Sequence, residues 1–421
     1  MMHLTQNRVA ASRILALGAL LAVLLASLML AVGEARASTT FTVTNTNDSG
    51  AGSLRQAILD ANNTPGADVI NFNISGSEVH TISPISPLPT ITEAVTINGY
   101  SQPGATPNTL AVGTNANLLI ELEGSKLATP HHGLAIGASN STIKGLVINR
   151  FGNSGIYITD NPSPTPVGNR IEGNFIGTDP SGTQDFPGNG DDGITIDDSS
   201  SNTVGGTSLA SRNLISGNTD GGVYISSGNQ VRGNLIGTKK DGITPLDNGT
   251  NGGVRIEGMS SIVAGNTIAS NLGAGVAVVG VNSNRILSNS IFANGGLGID
   301  LYEEGPTAND AGDADTGPND LQNKPIITSA KSGSTSTTVR GKLNSTPNRT
   351  FVVQFFSNPS GADEGKVFIG QKSVTTDGSG NVTFAFSPAK RVALGRIITT
   401  TATSPAGDTS EFSAARTVIS A

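Results

Sequence analysis

The chain lacks cysteine and tryptophan and is poor in other large or reactive side chains. Its 421 residues include only 4 histidines and 4 tyrosines, and only 4% of its residues are aromatic. Without cysteine, disulfide frameworks, thiol catalysis and cysteine-ligated zinc are excluded. The composition also disfavours a large α/β enzyme core, which aromatic and long aliphatic side chains normally fill.

Charge is scarce as well. Charged residues make up 14% of the chain, against about 25% in ordinary soluble domains. The formal net charge of −7 leaves no electrostatic attraction to a phosphate backbone. We therefore predict that the protein does not bind nucleic acid.

The N-terminus is typical of an export signal. Arg8 and Arg13 precede the apolar run 14–32, and Ala35-Arg36-Ala37 follows as a small-x-small cleavage site. This order predicts a signal peptide over 1–37 that is cut between Ala37 and Ser38. The mature protein would then be secreted or at the cell surface, without a membrane segment. The alternative is an uncleaved anchor, because the run is nearly long enough to span a bilayer.

Glycine is abundant, with 54 of 421 residues, and several glycines open an apolar–x–apolar strand. The spacings between these glycines are 22, 38, 29, 31, 22 and 23 residues, which indicates a base period of about 22 with insertions. The seven glycines are Gly133, Gly155, Gly193, Gly222, Gly253, Gly275 and Gly298.

A second signature, an Asn two residues before an Ile, recurs inside the period. Such a period predicts a solenoid of stacked coils. The Ile/Val, Gly and Asn content favours a parallel β-helix over a leucine-rich repeat. We expect the isoleucines to form one buried column and the asparagines a structural ladder at a corner. The isoleucines are Ile148, Ile176, Ile215, Ile236, Ile268 and Ile291. The asparagines are Asn174, Asn213, Asn234, Asn266 and Asn289.

The N-terminal part predicts a cap for the solenoid. Ser53 and Gln56 match a capping box that opens a helix over 54–62. The segment Gly52-Ser-Leu-Arg-Gln-Ala-Ile resembles the "CSLREA" segment of bacterial secreted right-handed β-helix proteins, with Gly52 in place of Cys and Gln56 in place of Glu. The coils are similar to those of the pectin-lyase-like superfamily. This resemblance spans roughly 40–325 and implies an architecture rather than an activity.

The composition changes after residue 325. Residues 326–421 alternate apolar and polar positions between turn signals such as Asp377-Gly-Ser-Gly. This pattern predicts an immunoglobulin-like or fibronectin-like β-sandwich, and the alternative is a further irregular β cap. The predicted all-β organisation is thus a signal (1–37), a cap with first coils (38–130), β-helix repeats (131–325) and the sandwich (326–421).

Two segments of equal length interrupt the repeats. Ile176 to Gly193 and Ile236 to Gly253 each span 17 residues, and both begin with Ile-Gly-Thr. Because equal insertions in repeat proteins map to one face, we expect the two loops to leave the solenoid at the same corner and lie side by side.

The residues two and four positions after each glycine should point outward. Tyr157, Tyr224, Arg255, Asp197 and Glu257 lie at these positions. They are the candidate ligand-binding residues, because tyrosine rings with hydroxyls suit sugars.

The same face resembles that of pectate lyases, which use acidic calcium ligands and an arginine base. The resemblance would assign such roles to Arg255, Asp197, Asp198 and Glu257. Charge pairing and the high pKa of arginine make Arg255 a poor base.

Three further groups bear on chemistry. Gly190-Asp191-Asp192-Gly193 resembles the Gly-Asp-Asp of polygalacturonases, but a plain turn explains this Asp pair better. We likewise interpret His131-His132 as residues of a solvated turn rather than as a pair of ligands. Asp313, Asp315 and Asn319 fit a calcium loop loosely.

These observations favour a structural, adhesive or glycan-contacting protein that needs no cofactor, with calcium as an optional ion. A polysaccharide or cell-surface glycan is the expected partner. The alternative is a lyase or hydrolase of an acidic polysaccharide. The sequence predicts no oligomeric state.

Overall fold

A computed structural model describes residues 37–159, 165–183, 187–301 and 305–421. Nearly all of the predicted signal peptide lies outside these residues, and Ala37 and Ser38 at its end are exposed. No helix of the described part is both long and apolar enough to cross a membrane. Thr39–Ala421 forms one compact unit.

Three long parallel sheets run along the repeats, as the glycine and asparagine signatures predict. Sheet A has nine strands: Thr40–Val43, Asp68–Phe72, Val95–Asn98, Thr142–Lys144, Arg170–Glu172, Thr203–Gly205, Gln230–Arg232, Ile262–Ala264 and Arg285–Leu287. Sheet B has eight: His80–Ile82, Ile120–Glu123, Leu146–Asn149, Phe175–Ile176, Leu214–Ile215, Leu235–Ile236, Thr267–Ala269 and Ser290–Phe292. Sheet C has seven: Leu134–Ile136, Ile156–Ile158, Ile194–Ile196, Gly221–Ile225, Gly252–Ile256, Val276–Val278 and Ile299–Leu301.

The predicted isoleucine column is confirmed. Each of the six isoleucines pairs in register with the next along sheet B, from Ile148 to Ile291. All six are at most 1% exposed and belong to the core that the three sheets enclose. The protein is therefore an all-β parallel β-helix, in which β-branched side chains of consecutive coils stack at the strand spacing of about 4.8 Å.

The predicted asparagine ladder is confirmed as well. The side-chain amide of Asn174 donates to Asn213 Oδ1 at 3.2 Å, and the chain of bonds continues through Asn234 and Asn266 to Asn289 at 2.9–3.0 Å. The second amide hydrogen of each reaches a backbone carbonyl, as Asn234 Nδ2 reaches Val204 O at 3.0 Å. These fully paired amides satisfy polar groups that would be costly to bury alone.

Helix α1 (Leu54–Asn63) packs against the start of the solenoid. Its buried residues Leu54, Ala57, Ile58 and Ala61 join the main core. Only half of the predicted capping box forms. Ser53 Oγ accepts from Gln56 N at 3.2 Å, but Gln56 Nε2 donates to Asp60 Oδ1 at 2.8 Å and does not return to the cap.

The two equal loops leave the corner after sheet B and lie side by side, as predicted. Lys240 N of the second loop donates to Gly182 O of the first at 2.9 Å. Residues 184–186 of the first loop lie outside the described part. The loops lie against an outward apolar cluster on sheet B: Gly182 lies near Phe175 and Leu214, and Gly242 lies near Leu235. The central strands of this sheet are therefore buried on both faces. The cluster is Leu118, Val147, Phe175, Leu214 and Leu235.

Two four-stranded sheets follow the solenoid and enclose their own apolar core. Sheet D is ordered Asn381–Phe386, Thr337–Asn344, Ile326–Ser332 and Ile419–Ser420; sheet E is ordered Val367–Thr375, Thr350–Asn358, Ile397–Thr403 and Arg416–Thr417. Two short 3₁₀ turns, Gly99–Ser101 and Leu209–Ser211, and a turn with left-handed backbone at Pro318–Leu321 complete the described elements.

The sandwich closes the last coil of the solenoid. Ile291 and Gly365 exchange two backbone hydrogen bonds of 3.0 and 2.9 Å, and Gln354 Oε1 accepts from Ser288 N at 2.9 Å. The open edge of sheet B is thereby paired, which removes a template for association with other strands.

Candidate functional site

The outward residues of sheet C form one column, which we call the tyrosine stripe. Tyr157, Thr195, Tyr224 and Arg255 pair in register on four consecutive strands, and Ala277 and Asp300 continue the column. Thr195 thus lies between the two tyrosines, which are about 9.6 Å apart at the usual strand spacing.

One end of the tyrosine stripe is a charged network. Tyr224 Oη donates to Glu257 Oε2 at 2.9 Å, and Arg255 Nε donates to Glu257 Oε1 at 2.7 Å. Burial and the Glu257 carboxylate raise the pKa of Tyr224. The predicted charge pairing of Arg255 is therefore present, with Glu257 as partner.

The acidic residues that precede the sheet C strands come together at the neighbouring turn. The strand register places Asp191 beside Asp220, with Asp192 one residue further along. Asp220 N donates to Asp191 O at 3.3 Å, so two consecutive coils stack here. We call Asp191, Asp192 and Asp220 the carboxyl cluster.

Hydroxyl groups connect the carboxyl cluster to the tyrosine stripe. Ser154 Oγ lies 2.9 Å from Asp191 Oδ2 and 2.8 Å from Thr195 Oγ1. Thr195 Oγ1 in turn reaches Asp192 Oδ2 at 3.5 Å. The cluster and the stripe therefore form one continuous polar site.

Burial and mutual repulsion perturb these acids. Asp192 is only 5% exposed. Burial, together with the charges of Asp191 and Asp220, raises its pKa to about 7. Burial and Asp191 also raise the pKa of Asp220. Asp192 can thus hold a proton near neutral pH, which an ordinary aspartate cannot.

His132 lies at the Tyr157 end of the tyrosine stripe, opposite the charged network of Arg255 and Glu257. Its ring stacks on Tyr157, with centroids 4.2 Å apart and planes 10° apart. Burial lowers the pKa of His132, and nearby Asp191 opposes that shift. We predicted a solvated turn here, but His132 packs on an aromatic ring and both histidines are partly buried.

The residues of the lyase interpretation are only partly brought together. Arg255 and Glu257 are ion-paired, whereas Asp198 is exposed and has a left-handed backbone with φ of 44°. Among the described residues, the group of His, Asp and Glu side chains close enough to share a metal ion is Asp310, Asp313 and Asp315. Asp197, Asp198 and Glu257 form no such group there.

The predicted calcium loop is rearranged. Asp313 and Asp315 meet Asp310, with ligand atoms within 4.8 Å of one another. Asn319 belongs elsewhere: it is fully buried, accepts from Asn284 N at 2.9 Å and donates to Asn284 O and Thr409 O. Asn319 is thus occupied by hydrogen bonds at the end of the solenoid, and Asp310 stands with Asp313 and Asp315 instead.

The sequence interpretation missed the carboxyl cluster because it treated each turn alone. A signal was available: Asp191-Asp192-Gly193, Asp220-Gly221-Gly222 and Asn251-Gly252-Gly253 all place a polar residue before a strand-opening glycine. Aligning the coils on these glycines brings the acids into adjacent positions.

Comparisons with known proteins support the architecture. Residues 93–260 match the family described as right-handed β-helix region. The parallel sheets over these residues agree with that description. No curated protein matches the chain.

Solved structures resemble the chain weakly. Tailspike protein 2 of Escherichia coli O157:H7 bacteriophage CAB120 is 11% identical with a TM-score of 0.22; the match covers 90% of this chain and 64% of the tailspike. The chain therefore spans about two thirds of that protein's length. The A-module of an Azotobacter vinelandii mannuronan C-5 epimerase is 14% identical with a TM-score of 0.20, covering 64% of this chain and 86% of the module.

Proposed function

We propose that this protein acts outside the cytoplasm and contacts glycans through the outward face of sheet C. The arrangement of Tyr157, Thr195 and Tyr224 carries the proposal. Two half-buried aromatic rings flank a hydroxyl that is linked to carboxylates. Sugars present apolar C–H faces beside hydroxyl groups, and such a site offers rings for the former and acceptors for the latter. The N-terminal export signature supports the location.

Retention on immobilised neutral glycans tests this function. Replacing both tyrosines, Tyr157→Ala with Tyr224→Ala, should abolish retention, while the thermal unfolding midpoint changes little because both side chains are partly exposed. The matched control replaces two exposed apolar residues off the stripe, Ile243→Ala with Leu272→Ala, and should bind as the unmodified protein does. Equal retention of both double variants would refute the proposal.

Glycoside hydrolysis is the second candidate function, and the carboxyl cluster favours it. Hydrolysis requires one protonated carboxyl that donates to the leaving oxygen and one carboxylate that acts as base or nucleophile. Asp192, with a pKa raised to about 7, suits the first role. Asp191, which accepts from Ser154, suits the second.

New reducing ends, released from a glycan that the protein retains, test this activity. Asp192→Asn should abolish the release without abolishing retention, since the amide keeps the shape but cannot give up a proton. If no glycan is cleaved by the unmodified protein, the binding role alone stands. Calcium-dependent release of unsaturated sugars, lost in Arg255→Ala, would instead establish a lyase.

A further inference from the structure

Charge is distributed unevenly between the solenoid and the sandwich. Residues 326–421 carry 10 of the 25 Lys and Arg residues but only 5 of the 32 Asp and Glu residues, which leaves +5 on this part and −12 on the rest of the chain. A basic module on an acidic protein is suited to an anionic partner that the solenoid would repel.

Part of this positive charge lines a groove of about 600 Å³ on the sandwich. Its apolar floor includes Phe368 and Val367, which are 37% and 45% exposed. Three cations, Lys390, Arg391 and Arg396, line the groove, and no carboxylate does. A volume of this size accommodates a ligand comparable to a drug-sized molecule or a short oligosaccharide.

Hydrogen bonds fix the two guanidinium groups of the groove and use only some of their N–H donors. Arg396 donates through Nε and Nη2 to Ser357, at 3.2 and 3.0 Å. Arg391 donates through Nε to Gly333 O at 2.7 Å. Neither forms an ion pair with any residue in the described part of the chain, nor does Lys390. Anchored guanidinium groups with remaining N–H donors bind carboxylates well, because less side-chain freedom is lost.

A peptide strand is a poor fit for the same place. Val367–Thr375 is the edge strand of sheet E, but its pairing shifts register opposite Phe355 and Phe356, and Gly370 there has φ of 135°. The side chain of Lys372 on this strand bonds to Ala385 O at 2.9 Å. A bulge and an inserted lysine are devices that prevent strand addition.

We infer that this groove binds a polyuronate chain and attaches the protein to an acidic polysaccharide matrix. Phe368, which packs edge-on against Phe356 at 5.8 Å, offers a fixed ring for the C–H face of a sugar. The three cations that line the groove can pair with the carboxylates that a polyuronate carries on each of its sugars. A polysulfated glycan, with its higher charge density, fits a mainly apolar groove less well. This site is separate from the sheet C face and does not depend on the function proposed there.

Calorimetric titration of the full chain with oligogalacturonate tests the inference. Binding is expected at low salt and should weaken steeply at high salt. Charge reversal by Lys390→Glu with Arg391→Glu should weaken it at least about tenfold, and Phe368→Ala should weaken it at both salt concentrations. The matched control, Arg340→Glu with Lys342→Glu, removes the same charge from an exposed part of sheet D and should bind nearly as the unmodified protein does. Unchanged thermal unfolding of each variant verifies its fold.

Several outcomes overturn the inference. These are no binding by the unmodified protein, equal weakening by the two charge-reversed pairs, or tighter binding of dextran sulfate or polyglutamate than of oligogalacturonate. Loss of oligogalacturonate binding in the Tyr157→Ala and Tyr224→Ala variant would also overturn it, because the ligand would then lie on sheet C. Binding that survives in that variant separates this site from the proposed glycan face.

Discussion

The ring of His132 lies flat on the ring of Tyr157, with 4.2 Å between their centroids. The two residues come from neighbouring coils, and their contact leaves Tyr157 only one ring face for a ligand. The stack also holds an imidazole beside Asp191, whose charge acts on it. A residue pair that looks like an ordinary turn in the sequence therefore forms one wall of the candidate site.

Asp192 should make stability depend on pH. Its pKa is raised from 3.8 to about 7 in the folded protein, so between these values the folded state binds more protons than the unfolded state. Stability contributed by this proton is present at low pH and is lost as pH rises through about 7. Urea denaturation at pH 5 and at pH 8 measures how far the free energy of unfolding falls between the two. This fall should be smaller in Asp192→Asn than in the unmodified protein, by up to a few kcal/mol at ~1.4 kcal/mol per pKa unit.

Other acids with raised pKa values, such as Asp313 and Glu364, also make the free energy of unfolding fall as pH rises, but they do so equally in both proteins. The difference between them therefore reports on residue 192. Parallel pH profiles for the two proteins would contradict the prediction.

Gly221 provides the space for that carboxyl. A Cβ atom at this position would lie 2.6 Å from Asp192 Oδ1. We expect Gly221→Ala to push the carboxyl toward water, lower its pKa and flatten the pH dependence of unfolding, although Asp192 is still present. Gly378→Ala, where a Cβ meets nothing within 4 Å, is the control. A pH profile for Gly221→Ala identical to that of the control would show that the carboxyl tolerates the methyl group.

Ile236 should be essential to its coil. It is fully buried between Ile215 and Ile268, and an unpaired carboxylate there has no compensating contact. Ile236→Asp should lower the free energy of unfolding by several kcal/mol, whereas Ile236→Val should lower it by only about 1 kcal/mol. Chemical denaturation measures both, and Ile243→Asp at a 60% exposed position should change little. If Ile236→Asp lowered the free energy of unfolding only slightly, the isoleucine column would not be essential to the core.

Calcium should stabilise the loop before the sandwich. Asp310, Asp313 and Asp315 converge, and burial, with repulsion from its neighbours, raises the pKa of Asp313 to about 6. A divalent cation would relieve that repulsion, so millimolar calcium should raise the unfolding temperature above pH 6, and less below it. Asp313→Asn should remove most of this response, whereas Asp377→Asn, in a separate exposed turn, should keep it. An unfolding temperature that does not respond to calcium or to a chelator would exclude the site.

The sequence by itself determined the repetitive part of this protein. The isoleucine column, the asparagine ladder and the paired loops could be predicted because each coil repeats one local pattern. In a parallel stack, equivalent positions must then be neighbours. Residues outside the repeats departed from their predicted contacts: Gln56 bonds to Asp60 rather than to the cap, and Asn319 bonds to Asn284 and Thr409 rather than standing with Asp313 and Asp315.

Only the tertiary structure decided what the candidate site is. Asp191 and Asp220 are 29 residues apart, and insertions of unequal length separate the coils that carry them. The lengths of the insertions determine which residue of each coil stands at the turn before sheet C, and therefore whether two such acids become neighbours. The raised pKa of Asp192 then depends on how far its neighbours exclude water from it. Alignment of the coils on their glycines indicates that the two acids are neighbours, but the burial of Asp192 is a property of packing between coils that the sequence does not contain.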